Sequence, residues 1–300
     1  MSQPTKGHRF AGLTVALVTP FNESGEVDYV ELKRLVEWHV AQGTPCLAPV
    51  GTTGESPTLS HDEHEKVIAT VVDTAAGRLK VMAGTGSNAT SEAIRLTKFA
   101  QRAGADASLQ VAPYYNRPSQ EGLYAHFAAI AEACDIPQVL YNIPARTGRN
   151  IEPETVEKLS KLGPIVAIKE AAGSLDQTSE LVLRTNLTVL SGDDSLTLPY
   201  LSVGGEGVVS VVGNIVPRDV MKLLEVYTGG HLVEARRMHL KLFALCKDLL
   251  GLAPNPVPIK TAMQILDRGN GVLRLPLVPL GAEARTRLIK CLDDYGLLGK

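Results

Sequence analysis

The sequence predicts an α/β fold, a (β/α)8 TIM barrel with a C-terminal helical extension. Three observations predict it. Eight short runs of β-branched and apolar residues recur along the chain, segments of helical periodicity separate them, and beyond about Pro217 only helical patterns remain. Strands that alternate with helices pair in parallel, and eight such units in about 225 residues match the usual length of this barrel.

The expected strands are 14–18, 46–50, 80–83, 107–111, 138–141, 165–168, 188–190 and 207–211. The helical pattern is clear in 27–41, where Val30, Leu32, Leu35, Val36 and Trp38 recur, and in 91–102, with Ala93, Ile94, Leu96, Phe99 and Ala100. Helices are expected at 218–227, 232–250, 259–266 and 282–295. The first of these completes the eighth unit and the others exceed what a barrel needs. Residues 1–228 therefore read as the barrel and 229–300 as the extension. The stretch 251–258 is rich in proline but too short and apolar to separate independently moving units. A doubly wound open sheet is the alternative. Its GxGxxG turn is absent after the first strand, where Thr19, Pro20 and Phe21 stand, and Gly84-Thr85-Gly86-Ser87-Asn88-Ala89 lacks the third glycine.

Three hundred residues, 44% of them hydrophobic, suffice for one large core. A net charge of -2, with both signs dispersed, gives no electrostatic reason to expect nucleic acid or a membrane surface as partner. Cys46, Cys134, Cys246 and Cys291 lie far apart, which argues against a zinc site or a disulfide framework. The N-terminal MSQPTKGHRF has no apolar core of a secretion signal, so a cytoplasmic protein is expected.

Barrel active sites form where strands end, and these ends are polar. The second runs into Gly51-Thr52-Thr53-Gly54-Glu55, the fourth into Pro113-Tyr114-Tyr115-Asn116, the fifth into Tyr141-Asn142-Ile143-Pro144, the sixth into Lys169-Glu170, and the seventh into Ser191-Gly192-Asp193-Asp194. Lys169 ends an apolar strand, where desolvation favours a neutral amine able to attack a ketone. Tyr141, from the neighbouring strand end, reads either as a structural tyrosine whose hydroxyl meets backbone or as a group near enough to transfer protons. Residues 51–55 read either as a turn chosen for backbone freedom or as a cradle for a carboxylate.

Together GTTGES at 51–56, PYYNRP at 113–118, YNIPARTG at 141–148, IKEA at 168–171 and SGDD at 191–194 resemble the dihydrodipicolinate synthase/N-acetylneuraminate lyase family, in order and on the expected strands. The resemblance implies that pyruvate forms an imine with Lys169 and that the derived enamine attacks the aldehyde of L-aspartate 4-semialdehyde, on the diaminopimelate route to L-lysine. No metal or organic cofactor is implied. Carried over by motif, Tyr141 is the general acid/base, Thr52 links it in a relay, and Tyr115 is the far end, reaching into a neighbouring subunit's site. That implies at least a dimer, and by family habit a tetramer. Thr53, Gly192 and Val209 would surround pyruvate. Val209 stands where isoleucine is expected, and Val212-Gly213-Asn214 differs from the usual Thr-Ala-Asn.

Other members of the superfamily share the lysine and tyrosine but process sugar acids. Arg146 discriminates, since a guanidinium beside the tyrosine motif suits the second substrate's carboxylate. A silent keto-acid-binding paralogue is the remaining alternative. His61 and His64 are spaced i, i+3, not the i, i+4 of a helical zinc-protease motif. The resemblance instead implies an L-lysine effector pocket of Ser56, Pro57, His61, His64, Asn88, Glu92 and Tyr114, with Pro57 where alanine is frequent.

Overall fold

The computed structural model describes residues 4–299. Eight strands, β1 (Gly12–Ala16), β2 (Cys46–Ala48), β3 (Lys80–Gly84), β4 (Ala107–Val111), β5 (Gln138–Asn142), β6 (Ile165–Glu170), β7 (Thr188–Ser191) and β8 (Gly207–Ser210), close into one parallel barrel in sequence order. Around and beyond it run α1 (Tyr29–Gln42), α2 (His61–Ala75), α3 (Thr90–Arg102), α4 (Gln120–Ala133), the single turn α5 (Pro144–Thr147), α6 (Pro153–Ser160), α7 (Leu175–Arg184), α8 (Thr197–Ser202), α9 (Pro217–Thr228), α10 (Leu232–Gly251), α11 (Val257–Ile265) and α12 (Ala282–Tyr295). Among the described residues no helix is long and apolar enough to cross a membrane.

The expected strands are all present, with edges that differ for identifiable reasons. The first lies two residues earlier than its apolar run: Leu17 N still donates to the Ala48 carbonyl at 3.0 Å, Val18 N turns to Asn214 Oδ1, and both residues stay buried beyond the strand's end. The second stops at Ala48, and Val50 then takes a left-handed φ of 51° that ends extended structure. The sixth continues through Lys169 and Glu170. At the closing seam Gly12 faces Gly207, and a Cβ on Gly207 would lie 2.2 Å from the Gly12 carbonyl oxygen. Only glycine permits that approach.

Alternation along the strands sorts side chains into two sets. Ala16, Ala48, Met82, Leu109, Val139, Tyr141, Ala167, Leu190 and Val209 form the barrel interior, with Phe10 buried beside them. Leu140, Ile168 and Val189 instead pack outward against the apolar faces of α4, α6 and α7. The C-terminal helices are not a separate layer. Leu242, Leu245 and Leu249 of α10, Ile259 and Met263 of α11 and Leu288 and Leu292 of α12 share a buried cluster with Leu13, Leu35, Leu47 and Val220. That shared core holds the segment between α10 and α11 over the barrel mouth.

Candidate active site

Period-two alternation decides where Lys169 points. Ala167 lies in the barrel interior and Ile168 outside it, so Lys169 faces inward and Glu170 outward. The same rule places Val139 and Tyr141 inside on β5. Register then makes Tyr141 and Lys169 direct neighbours, and Lys169 Nζ lies 3.9 Å from the Tyr141 ring centroid, with both side chains buried. Glu170 is wholly buried on the other face, where Asn142 Nδ2 (3.1 Å), the Ala172 amide (2.7 Å) and Gln177 Nε2 (3.0 Å) donate to its carboxylate. Burial pushes that carboxyl's pKa up while these donors oppose the rise.

A cavity of about 240 Å3 opens above the pair and is lined by Thr52, Thr53, Arg146, Gly192, Asp193 and Asn255 among others. Gly192 leaves room for the lysine: a Cβ there would stand 2.5 Å from Ala171 Cβ and 3.2 Å from Lys169 Cε. Burial raises the pKa of Asp193, and the Lys169 charge partly offsets it. Asp194 turns away to receive the amides of Val211 (2.8 Å) and Val212 (3.1 Å) and the Ser210 hydroxyl, which ties the ends of β7 and β8 together.

The turn after β2 carries Thr52 and Thr53 between two strained residues, Val50 at φ 51° and Glu55 at φ 53°. Left-handed backbone at a β-branched residue persists only where its surroundings over-determine it. Here a Cβ on Gly84 would come within 2.5 Å of the Val50 carbonyl oxygen, so the turn rests directly on β3. Thr53 Oγ1 accepts from Asn255 Nδ2 at 2.9 Å, while the Asn255 carbonyl accepts from Arg146 Nη2 at 3.3 Å. A buried amine, a phenol and hydroxyl and guanidinium donors thus surround one small cavity, the equipment for imine chemistry on a keto acid.

The family model described as "Dihydrodipicolinate synthetase family" matches residues 9–294. The chain belongs to that family. It is 50% identical to the 4-hydroxy-tetrahydrodipicolinate synthase of Pelobacter propionicus over 291 residues, 96% of this chain and 100% of that one. Among solved structures, the dihydrodipicolinate synthase from Aquifex aeolicus superposes with a TM-score of 0.94 at 48% identity, covering 96% of this chain and 99% of that one. The enzyme from Cyanidioschyzon merolae, solved with lysine bound, gives a TM-score of 0.94 at 42% identity over 97% and 99%.

Not every residue singled out in the sequence joins the cavity of this dihydrodipicolinate synthetase family member. Val209 is 1% exposed and packs within the barrel interior, and Val211 lines the cavity in its stead. Tyr115 is 90% exposed at φ 71° and does not line this cavity, and no hydrogen bond joins Thr52 to either tyrosine among the described residues. A second cavity of about 200 Å3 shares Thr52, Tyr141 and Arg146 with the first and adds Ser56, Pro57 and Tyr114. His61, His64, Asn88 and Glu92 do not line it: His61 Nε2 stands 3.3 Å from Glu92 Oε1, Ser87 Oγ donates to Glu92, and the Asn88 carbonyl accepts from Asn116 Nδ2 at 2.9 Å. His64 is buried and its Nε2 donates to the Gly84 carbonyl at 2.7 Å; burial lowers its pKa.

Sequence reasoning passed over Asn255 and Lys260. Asn255 lies between prolines with no local motif to mark it, whereas Lys260 stood visible as a lone charge in the apolar run Val257-Pro258-Ile259 and Ala262-Met263.

Proposed function

We propose that this chain is a 4-hydroxy-tetrahydrodipicolinate synthase, a lyase of lysine biosynthesis that condenses pyruvate with L-aspartate 4-semialdehyde. One observation carries the chemistry: Lys169 is buried at a strand end with its amine against the ring of Tyr141. The neutral amine attacks the pyruvate ketone, and the carbinolamine loses water to give an imine. Tyr141 supplies and removes the protons, passing them through Thr52. Loss of a methyl proton converts the imine to an enamine, whose carbon attacks the aldehyde. The substrate's amine then adds to the imine carbon, the ring closes and Lys169 leaves.

Thr53 receives the pyruvate carboxylate, with Gly192 beside it and Val209 supporting the floor from within the barrel. Arg146 reads the second carboxylate, which favours aspartate semialdehyde over a sugar acid. Tyr115, exposed in one chain, completes the relay of a neighbouring copy, so the working unit is a dimer, paired further into a tetramer. One structural relative is described as a monomeric dihydrodipicolinate synthase variant, so assembly within such folds is a property to measure. L-Lysine is an allosteric inhibitor that binds outside the keto-acid cavity, in a dimer-interface pocket formed by Ser56, Pro57, His61, His64, Asn88, Glu92 and Tyr114. The protein acts in the cytoplasm.

Borohydride reduction in the presence of pyruvate, followed by peptide mass analysis, tests the first step. A reduced pyruvyl adduct is expected on Lys169 and absent in Lys169→Ala; an unlabelled wild type refutes imine chemistry. Product formation from pyruvate and aspartate semialdehyde, with no neuraminate cleavage, separates this reading from a sugar-acid lyase.

A further inference from the structure

Lys260 and Glu55 form an ion pair that the proposed chemistry does not use. Lys260 Nζ lies 2.6 Å from Glu55 Oε1, and the two side chains are 4% and 0% exposed. Lys260 sits on α11, five residues beyond the Asn255 that touches Thr53, and Glu55 sits two residues beyond Thr53 itself. The ammonium also donates to the Thr19 carbonyl at 2.9 Å, while the Thr19 hydroxyl donates to the Gly54 carbonyl at 2.7 Å. The loop after β1, the turn after β2 and α11 therefore meet at one charge. The other Glu55 oxygen accepts the Arg274 amide at 3.2 Å, and the ring centroid of Phe21 lies 4.1 Å from Lys260 Nζ.

Burial pulls Lys260 down from 10.5 to about 8, against the opposing pull of Glu55, so desolvation outweighs attraction. A buried pair with that balance adds little to stability over a well-packed apolar replacement. What it supplies is a defined geometry. Glu55 is held at φ 53°, a conformation costly for a residue with a Cβ, and its backbone ends the turn that presents Thr53.

We infer that Lys260 is a positioning residue for the keto-acid site: through Glu55 and Thr19 it locks the Thr52-Thr53 turn to the C-terminal segment, so that Asn255 holds the Thr53 hydroxyl where the carboxylate of a small 2-keto acid binds. This rests on the proposed role of Thr53. It predicts a defect in capturing the keto acid, distinct from a defect in folding or in the reactivity of Lys169.

The test is borohydride trapping over a pyruvate titration, alongside thermal unfolding, for wild type, Lys260→Met and the double variant Glu55→Gln with Lys260→Met. The double variant leaves no unpaired buried charge, so it keeps the question answerable where Lys260→Met fails to fold. The double variant is expected to unfold at or above the wild-type temperature and to reach full labelling. Half-maximal labelling should need about tenfold more pyruvate, the order expected when a binding group loses its alignment. The apparent KM for the aldehyde stays unchanged. A folded double variant with wild-type half-saturation overturns the positioning role, as does one whose maximal labelling falls while half-saturation holds. Absence of any adduct in wild type overturns the underlying reading and this inference with it.

Discussion

Lys169 owes its position to small neighbours as much as to its strand. Ala167 lies two residues before it on the interior face and Gly192 stands across from it, which leaves room for its amine to lie against Tyr141 at the floor of the cavity. Gly192→Ala inserts a Cβ 2.5 Å from Ala171 Cβ, which must shift, and 3.2 Å from Lys169 Cε, which must yield by a few tenths of an ångström. A stability loss of about 1–3 kcal/mol is expected from such overpacking, and a drop of about 10²-fold in the rate of pyruvate trapping from the displaced amine. Trapping at the wild-type rate would show that Gly192 serves only the backbone. Tyr141→Phe keeps the ring beside Lys169 and removes the proton, and turnover should fall by about 10² to 10⁴. An unchanged kcat would make the hydroxyl a bystander. Both residues were legible in the sequence, because a lysine and a tyrosine closing adjacent apolar strands contrast with everything around them. Asn255 was not legible: its role comes from a chain reversal that carries it across the barrel mouth to Thr53, and nothing in Pro254-Asn255-Pro256 encodes that destination.

Helix α2 shows how an element's own ends fix a neighbouring site. Ser60 caps it, the Ser60 hydroxyl accepting the Glu63 amide and Glu63 returning a carboxylate oxygen to the Ser60 amide at 2.9 Å. The capping pattern places His61 and His64 in the first turn. The rest of Glu63's environment comes from far along the chain: Arg274 grips the carboxylate with two nitrogens at 2.7 and 2.6 Å, and its other donations reach the Thr58 and Gly25 carbonyls at 2.8 Å. Chiefly through that guanidinium, the Glu63 carboxyl is held at about 2, below its ordinary 4.5. A carboxyl depressed by folding adds stability that is full above its unfolded value and disappears as pH falls toward its folded one. Urea midpoints measured downward from pH 4.5 should therefore fall more steeply for wild type than for Glu63→Gln. Parallel slopes would mean that the Arg274 contact is solvent-screened and without consequence. Strand boundaries were less legible than such caps, since apolar runs continue past the strand's end wherever loops stay buried, as at Leu17 and Val18.

For the assembled protein the expectation turns on Tyr115, which stands in solvent with a left-handed backbone in the single chain. If it serves a neighbouring copy, Lys169→Ala and Tyr115→Phe subunits should complement each other, because a mixed dimer contains one site with both groups. Unfolding and refolding an equimolar mixture should recover about a quarter of wild-type activity from two nearly inactive parents, the share set by random pairing in a two-fold dimer. Activity no greater than the sum of the parents would confine Tyr115 to its own chain. The proposed L-lysine site is tested at the same scale. L-Lysine is expected to inhibit wild type only partially and to lose that effect in Glu92→Ala, and inhibition equally strong in both would remove Glu92 from the effector site.

The helices after β8 share the barrel's core and send Asn255 and Lys260 back to the turn after β2. A ribosome delivers this chain from its N-terminus, so all eight strands are made before the helices that complete their core and supply Asn255 and Lys260. A product terminated between Ser210 and Asn255 would lack the buried side chains of α11 and α12 as well as the Thr53 contact, so translation through the last helices completes the barrel's core and its binding site together.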